Sequence, residues 1–292
     1  MKSKENKTID TFNTKWDKFR EVVDSKGYMD NQYDWFLNRY GWSEKTFLTD
    51  LKNSKLVLDA GGGIGQHLNW FAHKVETTNF VNVDTTSSQP LECLKDRKNI
   101  SFVKANIKNL PFNDGTFDLI YCDRVLMHID NYEEAIDELI RVLKPNGMLA
   151  FSVYRKKSTI RENNDESIRN VVSQLAPNEA IEVCKDLSLL SKDLQKANVN
   201  IKIPESLIKN GIFEESTNLW DFLYWNVFKA YYNPQLGTEG STMINFEYYH
   251  PEISYTFDVH TVEKICNTRN LEIINLLMER NSISVRTRKR RI

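Results

Sequence analysis

The run Leu56-Val57-Leu58-Asp59-Ala60-Gly61-Gly62-Gly63-Ile64-Gly65-Gln66 constrains the fold of this chain more than any other stretch. A short apolar segment ends on an acid, glycines fall at alternate positions 61, 63 and 65, and a helical pattern (Leu68, Trp70, Phe71, Ala72) starts at once. That order predicts a buried strand, a tight turn and a helix whose N-terminus faces the turn. Glycine is needed where the main chain takes positive φ or lets a ligand approach closely. The turn therefore reads as a cradle for a nucleotide-like cofactor.

Strand and helix patterns alternate after it. Strands are predicted over 79–84, 100–104, 117–122 and 148–154, with helices over 90–96 and 132–143, the second ended by Lys144-Pro145-Asn146-Gly147. Such alternation predicts a parallel sheet covered on both faces. Ligands of such sheets bind at the carboxyl ends of the strands, which places Asp59, the glycine turn, Asp84, Asn106 and 122–124 along one edge. Before the sheet, aromatic residues at helical spacing predict two helices over 10–38. They read as packing residues, with Trp16, Tyr40 or Trp42 closing over a cofactor as the sharper alternative. The expected division is a helical cap over 1–50, a cofactor-binding core over 51–156, a helical acceptor-binding insertion over 157–245 and a return to the core over 246–292. The insertion contains an aromatic helix over 219–232; the return contains a helix over 261–270 and strands over 271–277 and 282–287.

Composition excludes several partners. Formal charge is −1 with 27% charged residues, so nothing in the overall balance favours nucleic acid or an anionic membrane. There is no eighteen-residue apolar run and no apolar leader segment, so no membrane partner is expected and the cytoplasm is the expected location. Cys93, Cys122, Cys184 and Cys266 lie far apart and match no metal-ligand spacing, so no metal is expected. The basic run 286–291 reads as a solvated end.

Two details separate the possible cofactors. A dinucleotide site needs G-x-G-x-x-G, and the third glycine falls at position 66, which is Gln66. Asp59 suits an ammonium group better than a pyrophosphate, and Asp84 can accept both hydrogen bonds from a ribose diol. An amino-acid moiety at the turn and a ribose at the acid describe S-adenosylmethionine.

Five segments in order carry a resemblance: 58–65, 82–84, Ala105-Asn106-Ile107-Lys108-Asn109-Leu110-Pro111-Phe112, 115–120 and Arg141-Val142-Leu143-Lys144-Pro145-Asn146-Gly147. Together they resemble the class I S-adenosylmethionine-dependent methyltransferases of the compact methyltransferase-domain subgroup. The resemblance implies a Rossmann-like, doubly wound α/β sheet of seven strands, the last antiparallel. It also implies cofactor-binding roles for Asp59, Gly61, Gly62, Gly63 and Gly65 at the methionine end and for Asp84 and Thr85 at the ribose. Asn106 and Ile107 would flank the adenine, and Cys122 and Asp123 would lie beneath the sulfonium. Gly62 stands where Cys or Ser is more usual, Asn106 where Asp is commoner, and Asn146 where Gly is usual. Stretches 154–162 and 245–251 resemble small-molecule methyltransferases with a helical insert after the fifth strand.

A hydroxyl acceptor needs a base, and imidazole suits that task. His128 and His250 are the candidates, with His260, Tyr248, Tyr249 and Glu247 behind them. The Asn/Asp-Pro-Pro-aromatic motif of adenine and glutamine methylation is absent, and Cys122 lacks the preceding proline of a cytosine-C5 nucleophile. The acceptor expected is a small polar molecule such as a sugar, a glycan precursor or another metabolite. The competing readings are a macromolecule methyltransferase, a dinucleotide enzyme disfavoured by Gln66, and a non-catalytic S-adenosylmethionine-binding module.

Overall fold

A computed structural model describes residues 2–291; Met1 and Ile292, the outer ends of the first and last expected segments, lie outside the described residues. In chain order the first elements are α1 (Lys4–Lys18), α2 (Arg20–Asp24), α3 (Lys26–Arg39), α4 (Glu44–Lys52), β1 (Leu56–Ala60), α5 (Gln66–Phe71), β2 (Asn79–Asp84), β3 (Ile100–Lys104), β4 (Phe117–Asp123), α6 (Tyr132–Val142) and β5 (Leu143–Tyr154). There follow α7 (Thr159–Val172), α8 (Pro177–Ala197), α9 (Glu205–Lys209), α10 (Leu219–Asn226), α11 (Gly237–Tyr249), α12 (Val259–Thr268), β6 (Leu271–Met278) and β7 (Ser282–Lys289). They form two units: residues up to 22 with 156–252, and residues 23–155 with 253–292.

The second unit holds a seven-stranded sheet in the order β3-β2-β1-β4-β5-β7-β6. β1 to β5 pair in parallel, and β7 runs antiparallel to both β5 and β6. The fold class implied by the resemblance is the one observed. Central strands are covered on both faces and so read as unbroken apolar runs; Val57, Leu58, Leu119 and Ile120 are buried. The period of α6 brings Ala135, Ile136, Leu139 and Val142 into one core with Leu58, Ile120 and Phe151, joined by Val262 and Ile265 of α12. A second cluster is aromatic and centres on Phe36 of α3, whose ring lies 5.2–5.6 Å from those of Tyr40, Phe47, His67 and Tyr121.

The first unit is helical, and its interior is polar in an ordered way. Asp165 of α7 accepts hydrogen bonds from Arg161 Nε (2.6 Å), Tyr248 OH (2.8 Å), Tyr249 OH (2.7 Å) and Lys229 N (2.9 Å). Lys15 of α1 and Glu247 of α11 form a buried pair at 2.6 Å. Buried charges persist only when paired in this way.

The structure differs from expectation in several places. Four helices rather than two precede β1, and the N-terminal segment is divided between the units rather than forming one cap. The helix expected over 90–96 is a single 3₁₀ turn, Glu92–Leu94. The aromatic helix stops at Asn226, because that buried amide turns away to bond Glu214 N (2.6 Å) and Glu214 O (3.2 Å). Gly237–Tyr249 is helical despite its glycines, because every residue from Gly240 to Tyr249 is buried and packing outweighs propensity. β5 starts at Leu143, five residues before its expected start, with Asn146 in the left-handed region at φ 63°. The basic run is a solvated end only in part: Arg288, Arg290 and Arg291 are exposed, while Arg286 and Lys289 are held against the fold. Residues 286–289 belong to β7, Arg286 lies 5.0 Å over the ring of Trp42, and Lys289 Nζ donates to Ile140 O and Leu143 O at 2.6 and 2.8 Å. That ammonium satisfies carbonyls at the end of α6.

Candidate active site

The glycine turn joins β1 to α5 at the carboxyl edge of the sheet. Gly61, Gly63 and Gly65 have φ of 76°, 53° and 90°. The turn is fastened to β2: Gly61 N donates to Val83 O at 2.7 Å, and Gly63 N donates to Asp84 Oδ2 at 2.8 Å. The other carboxylate oxygen of Asp84 accepts from Thr86 N at 2.8 Å. Two backbone amides thus fix the plane of this half-buried carboxylate while each oxygen keeps further acceptor capacity.

Gly62 needs a different explanation from its neighbours, since its φ is not positive. A Cβ there would overlap Asn82 Nδ2 and lie 2.5 Å from Asp59 Oδ2. Asn82 therefore fills the space that a Cys or Ser side chain at position 62 would need. Gly62→Ala is expected to destabilise the sheet unit by about 1–3 kcal/mol, the usual cost of overpacking. Adding Asn82→Ala should recover part of that loss in urea denaturation; a double mutant with purely additive losses would refute the explanation.

Beneath the turn lies a buried polar group in which the sequence reading named Asp59 and Asp123 but missed Arg39 and His67. Asp123, at the end of β4, accepts both carboxylate bonds from Arg39 Nη1 at 2.7 Å and one from Tyr40 OH at 2.8 Å. Burial opposes its ionisation, but Arg39 and His67 hold the carboxyl well below the usual range. Asp59 is fully buried, and burial pushes its carboxyl up against the opposing charge of His67. His67 Nδ1 lies 3.5 Å from Asp59 Oδ1, and Nε2 lies 3.5 Å from Asp123 Oδ2. Those are ion-pair separations, long for hydrogen bonds. Both ring nitrogens, Asp59 Oδ1 and Tyr121 OH are accordingly without a hydrogen-bond partner. Arg124 follows with a left-handed backbone at φ 56°, which turns its Nε back to 3.4 Å from Asp123. A non-glycine residue held there marks a position fixed by its surroundings. No distinct sequence signal marks His67, since α5 also carries Gln66 and Asn69 and the first of these is buried as well.

Asn106 Oδ1 accepts from Lys108 N at 2.9 Å, so its amide shapes the loop after β3, and Ile107 beside it is buried. Cys122 is buried and its thiol is pushed well up by that burial. Thr85 lies between Asp84 and the Thr86 amide that Asp84 accepts. His128 Nδ1 donates to Ile253 O at 2.8 Å, and its ring meets that of Tyr154 edge-on at 5.6 Å. His250 is in the helical unit, with Nδ1 2.7 Å from Thr11 Oγ1, Nε2 3.3 Å from Leu175 O and its ring stacked on Phe246. Its pKa is lowered by burial. Tyr248 and Tyr249 donate to Asp165, and burial pushes both phenols far up. Tyr40 and Trp42 are buried packing residues, Trp42 Nε1 donating to Asp50 at 2.8 Å. Among the described residues no cluster of metal-ligating side chains occurs, and no helix is long and apolar enough to cross a membrane. A cleft of about 360 Å³ lined by Asp50, Asp118, Lys144 and Arg288 lies at the opposite, N-terminal end of the strands, away from this chemistry.

Comparison with known proteins gives the same region. Residues 58–151 match the family described as methyltransferase domain. The chain is 40% identical over 111 residues to an uncharacterized protein of Methanocaldococcus jannaschii, covering 38% of this chain and 46% of the relative. It is 31% identical over 126 residues to a ubiquinone/menaquinone biosynthesis C-methyltransferase of Pseudomonas aeruginosa, covering 40% and 49%. A sterol 24-C-methyltransferase of Schizosaccharomyces pombe is 25% identical over 266 residues, covering 76% and 68%. The chain spans about half the length of the first two relatives.

Proposed function

Because residues 58–151 are a class I S-adenosylmethionine-dependent methyltransferase domain, we propose that the chain transfers a methyl group from S-adenosylmethionine to a small polar molecule. The observation that carries this reading is the Asp84 carboxylate, fixed by Gly63 N and Thr86 N beside a turn whose residue 66 is a buried glutamine. That arrangement suits a ribose diol and disfavours a dinucleotide pyrophosphate, which needs glycine at that point. The cradle fits the cofactor in a second respect: the turn is tied to β2 by main-chain bonds from Gly61 N and Gly62 N to Val83 O, and Gly61, Gly63 and Gly65 take the positive φ that lets a ligand approach the backbone.

Asp84 with Thr85 would hold the ribose, Asn106 and Ile107 the adenine, and Gly61, Gly62, Gly63 and Gly65 the methionine end over Asp59. Cys122 and Asp123 form the floor at the end of β4. When bound there, the cofactor supplies an electrophilic methyl group on a sulfonium. The chain's own work is then largely positioning. His128 is the proposed base, its ring oriented by the bond from Nδ1 to Ile253 O. His250 is assigned a structural role instead, since its ring nitrogens face Thr11 and Leu175. The helical unit is proposed to supply acceptor recognition. The relatives named for quinone and sterol methylation support a small-molecule acceptor. The free cysteines suit a reducing compartment and support a cytoplasmic location.

The test incubates the protein with methyl-labelled S-adenosylmethionine and fractionated cell extract. Label in a low-mass fraction is the expected result; label confined to protein or RNA overturns the small-molecule acceptor, and no label in any fraction overturns catalysis. His128→Gln is expected to lower kcat by about 10²–10⁴ with S-adenosylhomocysteine affinity unchanged; a retained kcat removes His128 from the reaction.

A further inference from the structure

His67 is the second residue of α5, two past the last glycine of the turn, while Asp59 stands two before the first. The contact between them at 3.5 Å therefore spans the whole glycine loop and joins its two feet. The opposite ring nitrogen reaches Asp123 at 3.5 Å, on the strand next to β1. A loop of glycines loses more conformational freedom on ordering than any other sequence, so its geometry depends on what holds its ends. We propose that His67 is a positioning residue for the cofactor turn, its imidazolium clamped between Asp59 and Asp123 so that cofactor affinity depends on that one proton. The proposal rests on the methyltransferase reading of the same site and adds a residue and a pH dependence to it.

The surroundings decide which group titrates. Facing the ring are Asp59 on β1, Tyr121 and Asp123 on β4, Phe36 on α3 and Trp70 on its own helix; Arg39, Tyr40 and Arg124 reach it only through Asp123. Asp123 already has Arg39 as a close partner and stays ionised, and Tyr121 stays protonated because burial pushes its phenol far up. Among the described residues no arginine or lysine forms an ion pair with Asp59; beyond the ring, its side chain meets Asn82 Nδ2 at 3.5 Å. Its charge is thus balanced by His67 alone among the groups named. Burial and the positive end of α5 both oppose a protonated ring. The two carboxylates outweigh them, and the ring is held up at about 8. Loss of the proton would leave Asp59 as an uncompensated buried anion directly under Gly62, whose Cβ position is 2.5 Å from Asp59 Oδ2.

A raised imidazole pKa stabilises the fold fully below the unfolded value of about 6.5 and ceases to do so as pH rises through the folded value of about 8. The urea midpoint of the ligand-free chain is therefore expected to fall between pH 7 and 9.5, and that of His67→Gln to be flat over the same interval. Cofactor linkage is read by calorimetry with S-adenosylhomocysteine, whose own amine titrates identically against both proteins. The variant should bind about tenfold more weakly than wild type at pH 7, a difference that closes to about onefold at pH 9.5. A ratio that stays constant across pH, or a variant that binds like wild type at pH 7, overturns the proposal. If His67→Gln does not fold, nuclear magnetic resonance titration of the wild-type ring replaces it. Bound S-adenosylhomocysteine should then move the His67 midpoint to higher pH, and equal midpoints overturn the role. Failure of wild type to bind S-adenosylhomocysteine at every pH overturns the cofactor reading itself, and the role with it, whereas the stability measurement is independent of any ligand.

Discussion

Asp84→Ala is expected to weaken S-adenosylhomocysteine binding by about ten- to a hundredfold. Hydrogen bonds to an ionised partner contribute about 1.5–3 kcal/mol each, and this carboxylate, held by two backbone amides, is the acceptor proposed for the ribose diol. The substitution also releases Gly63 N and Thr86 N, so part of the loss is geometric: of the ties between the turn and β2, only the backbone bonds from Gly61 N and Gly62 N to Val83 O remain. Asp84→Asn separates the two contributions. One amide oxygen can still hold one backbone N–H, but the charge is gone, so the asparagine variant should fall between alanine and wild type. Calorimetry checks the series, with the urea midpoint as a control for folding. Unchanged affinity in Asp84→Ala would end the assignment of the ribose to this edge.

Asp123→Ala has the largest expected effect on stability, about 3–5 kcal/mol, because removing one partner strands the other buried charge. Arg39 would keep its guanidinium in a buried site with Nε already lacking a partner, and Tyr40 OH would lose its acceptor. His67 would lose one of its two carboxylates as well. Replacing Arg39 and Tyr40 together with Asp123 by apolar residues of similar volume should recover much of the loss, since apolar groups need no compensation there. Chemical denaturation of the single and triple variants measures both numbers. A single variant within about 1 kcal/mol of wild type would mean that this network contributes nothing to the sheet unit.

The parallel core was legible because its signals are local. The apolar runs, the alternate glycines and the acids that end β1 and β2 each lie within a few residues, and the helix period of α6 is strong. Asn146 and Asn270 take the left-handed backbone, with φ of 63° and 57°, a conformation asparagine tolerates. What escaped the sequence depends on partners far along the chain. His67 matters through Asp123, 56 positions away by the two residue numbers. Gly62 is explained only by Asn82, which arrives from the neighbouring strand. Amphipathic helices announce a buried face without naming what covers it, so α1 and α3 read as one cap although they belong to different units. Asn226 ended a helix that propensity would have continued, because its amide had a tertiary partner.

The place of β7 bears on the order in which the protein can be made. β5 pairs with β7 across a separation in sequence that reaches 140 residues between Met148 and Arg288. Closing so long a loop is slow, since the entropy is lost before the contacts reward it. On the ribosome, β1 to β5 emerge first and can assemble, but the β5 edge carrying Leu149, Phe151 and Val153 has no neighbour until 282–289 follow. An unpaired apolar strand edge is a template for wrong pairing. The helical segment inserted between β5 and β6 therefore sets a waiting time, and the nascent sheet passes through it with one side open.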